Sequence, residues 1–143
     1  MIAIEQPPNF DSRFDVSCTF VEWDEKILLL HRQDHKSYGN KWGAPAGKVN
    51  ENEGIKTAAL RELEEETGIK VSKKMIKYLN TLYVKYPDFD FIFHMFFLRM
   101  VKQPMVTLDP NTHKAYSWVN PIEALSMELV PDEDFCIKKI YKI

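Results

Sequence analysis

Residues Gly47 to Ile69 read Gly-Lys-Val-Asn-Glu-Asn-Glu-Gly-Ile-Lys-Thr-Ala-Ala-Leu-Arg-Glu-Leu-Glu-Glu-Glu-Thr-Gly-Ile: a loop, one amphipathic helix, and a glycine stop. Asn50 followed by Glu53 fits a capping box with Asn in place of Ser or Thr, and Asn52 is the alternative cap. Gly68 supplies the left-handed residue that ends a helix, with Ile69 as its hydrophobic contact.

Helical geometry orders the side chains. At about 100° per residue and with Glu62 as origin, Glu66 lies near +40° and Glu65 near −60°. Ile55, Ala59, Leu63 and Leu60 form an apolar stripe from roughly +20° to +160° on the same count. Glu66 therefore falls inside the apolar edge, whereas Glu64, near +200°, belongs to the solvent side. Three carboxylates within one turn repel one another, and they sit near the helix C-terminus, where the macrodipole disfavours negative charge. A hard divalent cation would offset that cost, and Arg61 can neutralise part of it through a bidentate contact. The competing reading is a solvated acidic face steadied by Lys56 and Arg61.

Outward from the helix, the chain alternates strands and turns. Phe14, Val16, Cys18 and Phe20 alternate with Asp15, Ser17 and Thr19, as in a strand with one buried face. After the polar Asp24-Glu25-Lys26, Ile27 to Leu30 completes a hairpin. His31 to Lys41 reads as a loop, and Arg32 at its start is a candidate ligand contact. The small residues between Trp42 and Val49, with Pro45 fixing a bend, permit close backbone approach. Met75 to Tyr86 and Phe91 to Met100 read as strands, the second covered on both faces. Tyr86-Pro87-Asp88 marks a turn. Ala115 to Val119 is a short strand, Pro121 opens a helical stretch over Ile122 to Met127, and Asp132 caps a terminal helix carrying Phe135, Ile137 and Ile140. The expectation is one mixed α/β domain over residues 1–143, with residues 1–12 as an N-terminal arm.

A formal charge of −2 lacks the basic surface that non-specific nucleic-acid or membrane binding needs. The most apolar run, Phe91 to Val101, is too short to span a bilayer. Cys18 and Cys136 have no metal-type spacing and read as reduced thiols. The N-terminus lacks a signal-peptide layout. Together these lead us to expect a cytoplasmic protein.

Gly47, Glu53, Arg61-Glu62-Leu63, Glu65-Glu66 and Gly68-Ile69 occupy every fixed position of the Nudix box, and the chain resembles that family. The lead-in Trp42 to Lys48 and the late Trp118-Val119 also resemble it. The resemblance implies an α/β/α sandwich around a mixed sheet with a loop-helix-loop motif. It implies divalent-metal-dependent hydrolysis of a pyrophosphate bond in a nucleoside diphosphate linked to another moiety. Mg2+, with Mn2+ as a substitute, is the implied cofactor. By position, Glu62, Glu65 and Glu66 resemble metal ligands, with Ala46 offering its backbone carbonyl. Arg61 and Glu53 resemble the pair bracing loop against helix, and Lys48 is a phosphate contact alongside Arg32.

Water activated by metal attacks phosphorus in such chemistry, and a carboxylate takes the proton. Many relatives carry a glutamate where Thr112 stands, so the base falls to Glu62 or Glu65. His113 is a third choice, with a surface histidine as the preferred reading. The implied partner is a nucleotide-type small molecule (a nucleoside triphosphate, dinucleoside polyphosphate, ADP-ribose or nucleotide sugar). A homodimer is compatible with the family. The alternatives are a non-catalytic nucleotide-binding module and an RNA-end or cap hydrolase. Substrate cues conflict: Tyr86 resembles a position of dinucleoside-polyphosphate-cleaving relatives, and Pro87 resembles a proline of ADP-ribose-cleaving relatives at slightly different spacing, though a turn needs Pro87 in any case. Asp132-Glu133 resembles a base-reading position that helix capping also explains.

Overall fold

The computed structural model describes residues 1–143. One mixed sheet is built from β1 (Ile2–Ala3), β2 (Ser12–Trp23), β3 (Lys26–Arg32), β4 (Trp42–Gly43), β5 (Ala46–Lys48), β6 (Lys77–Lys85), β7 (Asp90–Met100) and β8 (His113–Val119). Its order is β1-β6-β7-β2-β3-β4, with β5 also pairing β2 and β8 also pairing β3. β2 runs parallel to β7, and the remaining pairs are antiparallel.

Helices cover both faces. α1 (Ile55–Thr67) packs Leu63 against Val21, Leu28, Leu30 and Leu98. On the other face α2 (Pro121–Ala124) and α3 (Glu133–Tyr141) bring Ala124, Cys136 and Ile137 onto Cys18, Phe20 and Met95. This is why Ser17 and Thr19 are as buried as the apolar residues they alternate with. Period two gives the side of the sheet a residue faces and does not say whether that side is wet. Ser17 satisfies its hydroxyl on the Ile55 carbonyl at 2.7 Å.

The β2–β3 hairpin pairs only at Glu22–Ile27 and Trp23–Lys26. Beyond that the strands separate, and β5 takes β3's place beside β2, with Cys18 opposite Ala46 and Val16 opposite Lys48. That insertion puts Ala46 to Lys48 directly against α1.

Several boundaries differ from the sequence reading. The N-terminal segment is tied to the sheet, where Ile2 and Ala3 pair with Val84 and Tyr83 of β6. α1 begins one turn later than a cap at Asn50 or Asn52 requires. Its N-cap is Gly54, without a side-chain cap bond, and Glu53 instead accepts from the Asn50 N–H in the preceding turn. Gly68 does stop the helix, at φ 75° with its N–H on the Glu64 carbonyl. His31 and Arg32 lie on β3, not in a loop. α2 is shorter than expected, and Asp132 precedes α3 in the left-handed region without making a side-chain cap bond.

Candidate active site

α1 presents its acids toward β5 in a graded series of environments. Glu66 is buried and accepts from the Ala46 N–H at 2.9 Å. Burial, and then repulsion from Glu62, push its carboxyl up to about 8. Glu62 is half-buried, and desolvation raises its carboxyl against the opposing pull of Arg61. Glu65 is exposed and Glu64 faces solvent near Lys70. Gly47 lies against Glu62 so closely that a Cβ there would run into the carboxyl group. The absence of a side chain is thus what lets the loop and the helix acid meet.

Arg61 braces this arrangement. Its Nε and Nη2 grip the two oxygens of Glu53 at 2.8 and 2.9 Å, Nη1 donates to Glu62 at 2.8 Å, and Nη2 also reaches the Lys48 carbonyl at 3.0 Å. The paired donors hold the Glu53 carboxyl down to about 2. Arg61 touches Glu65 only loosely, at 3.3 Å.

A cavity of about 260 Å³ opens beside Glu66, bounded by Gly47 and Lys48 of β5 and by Arg32 of β3. Its walls are aromatic, from Phe14, Tyr38, Tyr86 and Phe91 among others. The Lys48 ammonium rests 4.4 Å over the Phe14 ring. Arg32 is held by the Ser37 carbonyl, which accepts from Nε at 2.7 Å. Tyr86 does more than form a turn, since it lines this cavity while its N–H closes the turn on the Phe89 carbonyl.

Two lining residues depart from the surface and helix-capping readings that the sequence favoured for them. His113 is buried rather than on the surface. Glu133 caps nothing: it is buried and accepts from the Ala44 N–H at 2.8 Å, and burial pushes its carboxyl up to about 7. A helical spacing from Glu133 to Cys136 and Ile137 was the signal that it faces inward. The alternation of His113, Ala115 and Ser117 along β8 was the equivalent signal for the histidine.

The donor set suits a hard divalent cation. It is oxygen-only, and the mutual repulsion of Glu62 and Glu66 is a charge deficit that a cation would relieve. No three carboxylate, imidazole or thiol groups converge on one point as the side chains stand, because Arg61 draws Glu62 and Glu65 toward itself.

Residues 12–140 match the NUDIX domain model. The chain belongs to the Nudix family. Membership makes it a pyrophosphohydrolase, and Nudix hydrolases generally use divalent metals. It is 31% identical over 130 residues to the CTP pyrophosphohydrolase of Escherichia coli, a match covering 82% of this chain and 83% of that one. An RNA pyrophosphohydrolase of Pelagibacter ubique is 40% identical over 62 residues, covering 43% and 38% of the two chains. Among solved structures, a MutT NUDIX hydrolase from Burkholderia pseudomallei superposes with TM-score 0.76 at 21% identity, covering 89% and 97%. The NUDIX domain of Shewanella oneidensis NrtR, complexed with ADP ribose, gives TM-score 0.78 at 20% identity, covering 96% and 92%. These two likenesses concern the fold. No helix of this Nudix chain is long and apolar enough to cross a membrane.

Proposed function

We propose that this Nudix protein hydrolyses a pyrophosphate bond of a nucleoside triphosphate, with Mg2+ held by Glu62, Glu65, Glu66 and the Ala46 carbonyl. The observation that carries this reading is Glu66, buried in the wall of an aromatic cavity and repelled by the half-buried Glu62 one turn away. The E. coli CTP pyrophosphohydrolase, whose match spans most of both chains, is the reason to place a triphosphate first among nucleotide substrates.

Phosphates enter where Arg32 and Lys48 flank the glutamates, and the aromatic walls receive the base by stacking. A bound divalent ion would supply charge neutralisation of the phosphate oxygens and a more acidic water. Glu62 or Glu65 takes the proton from that water. Burial raises the Glu62 carboxyl and strengthens it as a base, whereas Glu65 is the more exposed of the two. Arg61 and Glu53 hold the loop and the helix in register, so that Gly47 stays against Glu62.

The test is a Mg2+-dependent hydrolysis screen over nucleoside triphosphates, dinucleoside polyphosphates, ADP-ribose, nucleotide sugars and capped RNA, with product analysis of the bond cut. Glu65→Gln and Glu66→Gln should each lower kcat by about 100-fold or more. Tight nucleotide binding without turnover under any divalent metal would sink the proposal.

A further inference from the structure

His113 opens β8 opposite Arg32 of β3 and lines the cavity. Its Nδ1 stands 2.9 Å from the Thr112 hydroxyl oxygen, and that hydroxyl donates to the Asp109 carbonyl at 3.2 Å. A hydroxyl has one proton. Assigning that proton to the Asp109 carbonyl, which also accepts the backbone N–H groups of Thr112 and His113, leaves the Thr112 oxygen to accept from His113 and puts the imidazole proton on Nδ1. Nε2 then carries a lone pair and no proton. It has no protein partner, and since Thr19 Oγ1 is the only unpartnered polar side-chain atom sealed from solvent, Nε2 keeps contact with solvent on a residue that lines the cavity. Burial and the Arg32 guanidinium oppose a charged imidazolium, so the ring stays neutral near pH 7.

We propose, on the nucleotide-hydrolase reading, that His113 is a specificity-determining residue whose Nε2 accepts a hydrogen bond from the nucleoside part of the substrate. A neutral acceptor gains nothing from phosphate oxygens, which are acceptors themselves. It selects instead for an O–H or N–H donor. A nucleotide offers such donors only on its sugar hydroxyls and on the exocyclic amine or ring N–H of its base. Thr112 is the positioning residue that fixes the tautomer, and through it the sense of the hydrogen bond.

The experiment compares kcat/KM for the preferred nucleotide with 2′-deoxy, 3′-deoxy and amine-lacking base analogues. The wild type should disfavour one analogue by about tenfold, expressed in KM, as expected for one hydrogen bond. The analogue that suffers identifies sugar or base as the donor. His113→Leu should bring that ratio near one, and His113→Gln, whose amide oxygen can accept, should restore part of it. Thr112→Val, which frees the proton to move to Nε2, should lose the discrimination that Thr112→Ser keeps. The ¹⁵N shifts of the His113 ring, read without substrate, should show protonated Nδ1 in the wild type and a changed tautomer in Thr112→Val. A protonated Nε2 in the wild type, or equal ratios for all analogues during normal turnover, would overturn the inference alone. A protein that hydrolyses no nucleotide would overturn it together with the hydrolase reading.

Discussion

Arg61 and Glu53, eight residues apart, meet through two parallel contacts of 2.8 and 2.9 Å, and this fork closes the loop onto the helix. Lysine cannot reproduce it, because an ammonium lacks the planar pair of donors. Arg61→Lys should therefore keep the charge and still lower kcat/KM by about 10- to 100-fold, with stability down by about 1–2 kcal/mol. Steady-state kinetics together with urea unfolding measure both. Wild-type kinetics in Arg61→Lys would show that charge alone suffices.

At Gly47 the space for a side chain is already taken by the Glu62 carboxyl. Gly47→Ala should displace that carboxylate and cost about 100-fold in kcat, the usual penalty for misplacement near 1 Å. Its effect on stability should be smaller, about 1–3 kcal/mol. Full activity in Gly47→Ala would mean that the Glu62 position is not critical.

Thr19 Oγ1 is buried without a partner in the middle of the sheet. Thr19→Val keeps the shape and removes the unmet hydrogen-bonding group, so stability should rise by about 1 kcal/mol and Tm by about 3 °C. Calorimetry would show it. A fall in Tm would imply that a bound water satisfies the hydroxyl.

Two cavity residues give stability opposite pH dependences. Glu133 has its carboxyl raised from 4.5 to about 7, so its contribution is full below pH 4.5 and lost as pH rises through about 7. His113 is depressed from 6.5 to about 4, so its contribution is present above pH 6.5 and lost as pH falls through about 4. Each is worth at most about 3 kcal/mol on the pKa difference. Glu133→Gln should consequently gain stability relative to the wild type between pH 5 and pH 8. Denaturation curves at the two pH values check the sign, and parallel curves would refute it.

Divalent metal should stabilise the folded protein, since it offsets the repulsion between Glu62 and Glu66. In metal-free buffer above pH 8, where the Glu66 carboxyl is ionised, Glu66→Gln should be more stable than the wild type by about 1–3 kcal/mol, because a buried charge is gone, and near pH 6 the two should be nearly equal. Mg2+ should raise the wild-type Tm and leave that of Glu66→Gln nearly unchanged. A metal-induced shift of equal size in both proteins would remove Glu66 from the ion's surroundings.

The amino-acid sequence by itself determined the family, the mixed α/β class and the helix face on which Glu62, Glu65 and Glu66 sit. These follow from local rules: a 3.6-residue period, a glycine stop, and box positions close together along one chain segment. The pairing of Arg61 with Glu53 was legible for the same reason. Only the tertiary structure decided what faces the cavity. His113 meets Arg32 because β8 pairs β3, and Glu133 meets Ala44 because α3 packs on the opposite side of the sheet from α1. Contacts between residues 81 and 89 positions apart leave no local pattern, and a buried acid or imidazole has the same letter as an exposed one. Burial is a property of the whole packed chain, and it is burial that sets the charge state of Glu66, Glu133 and His113.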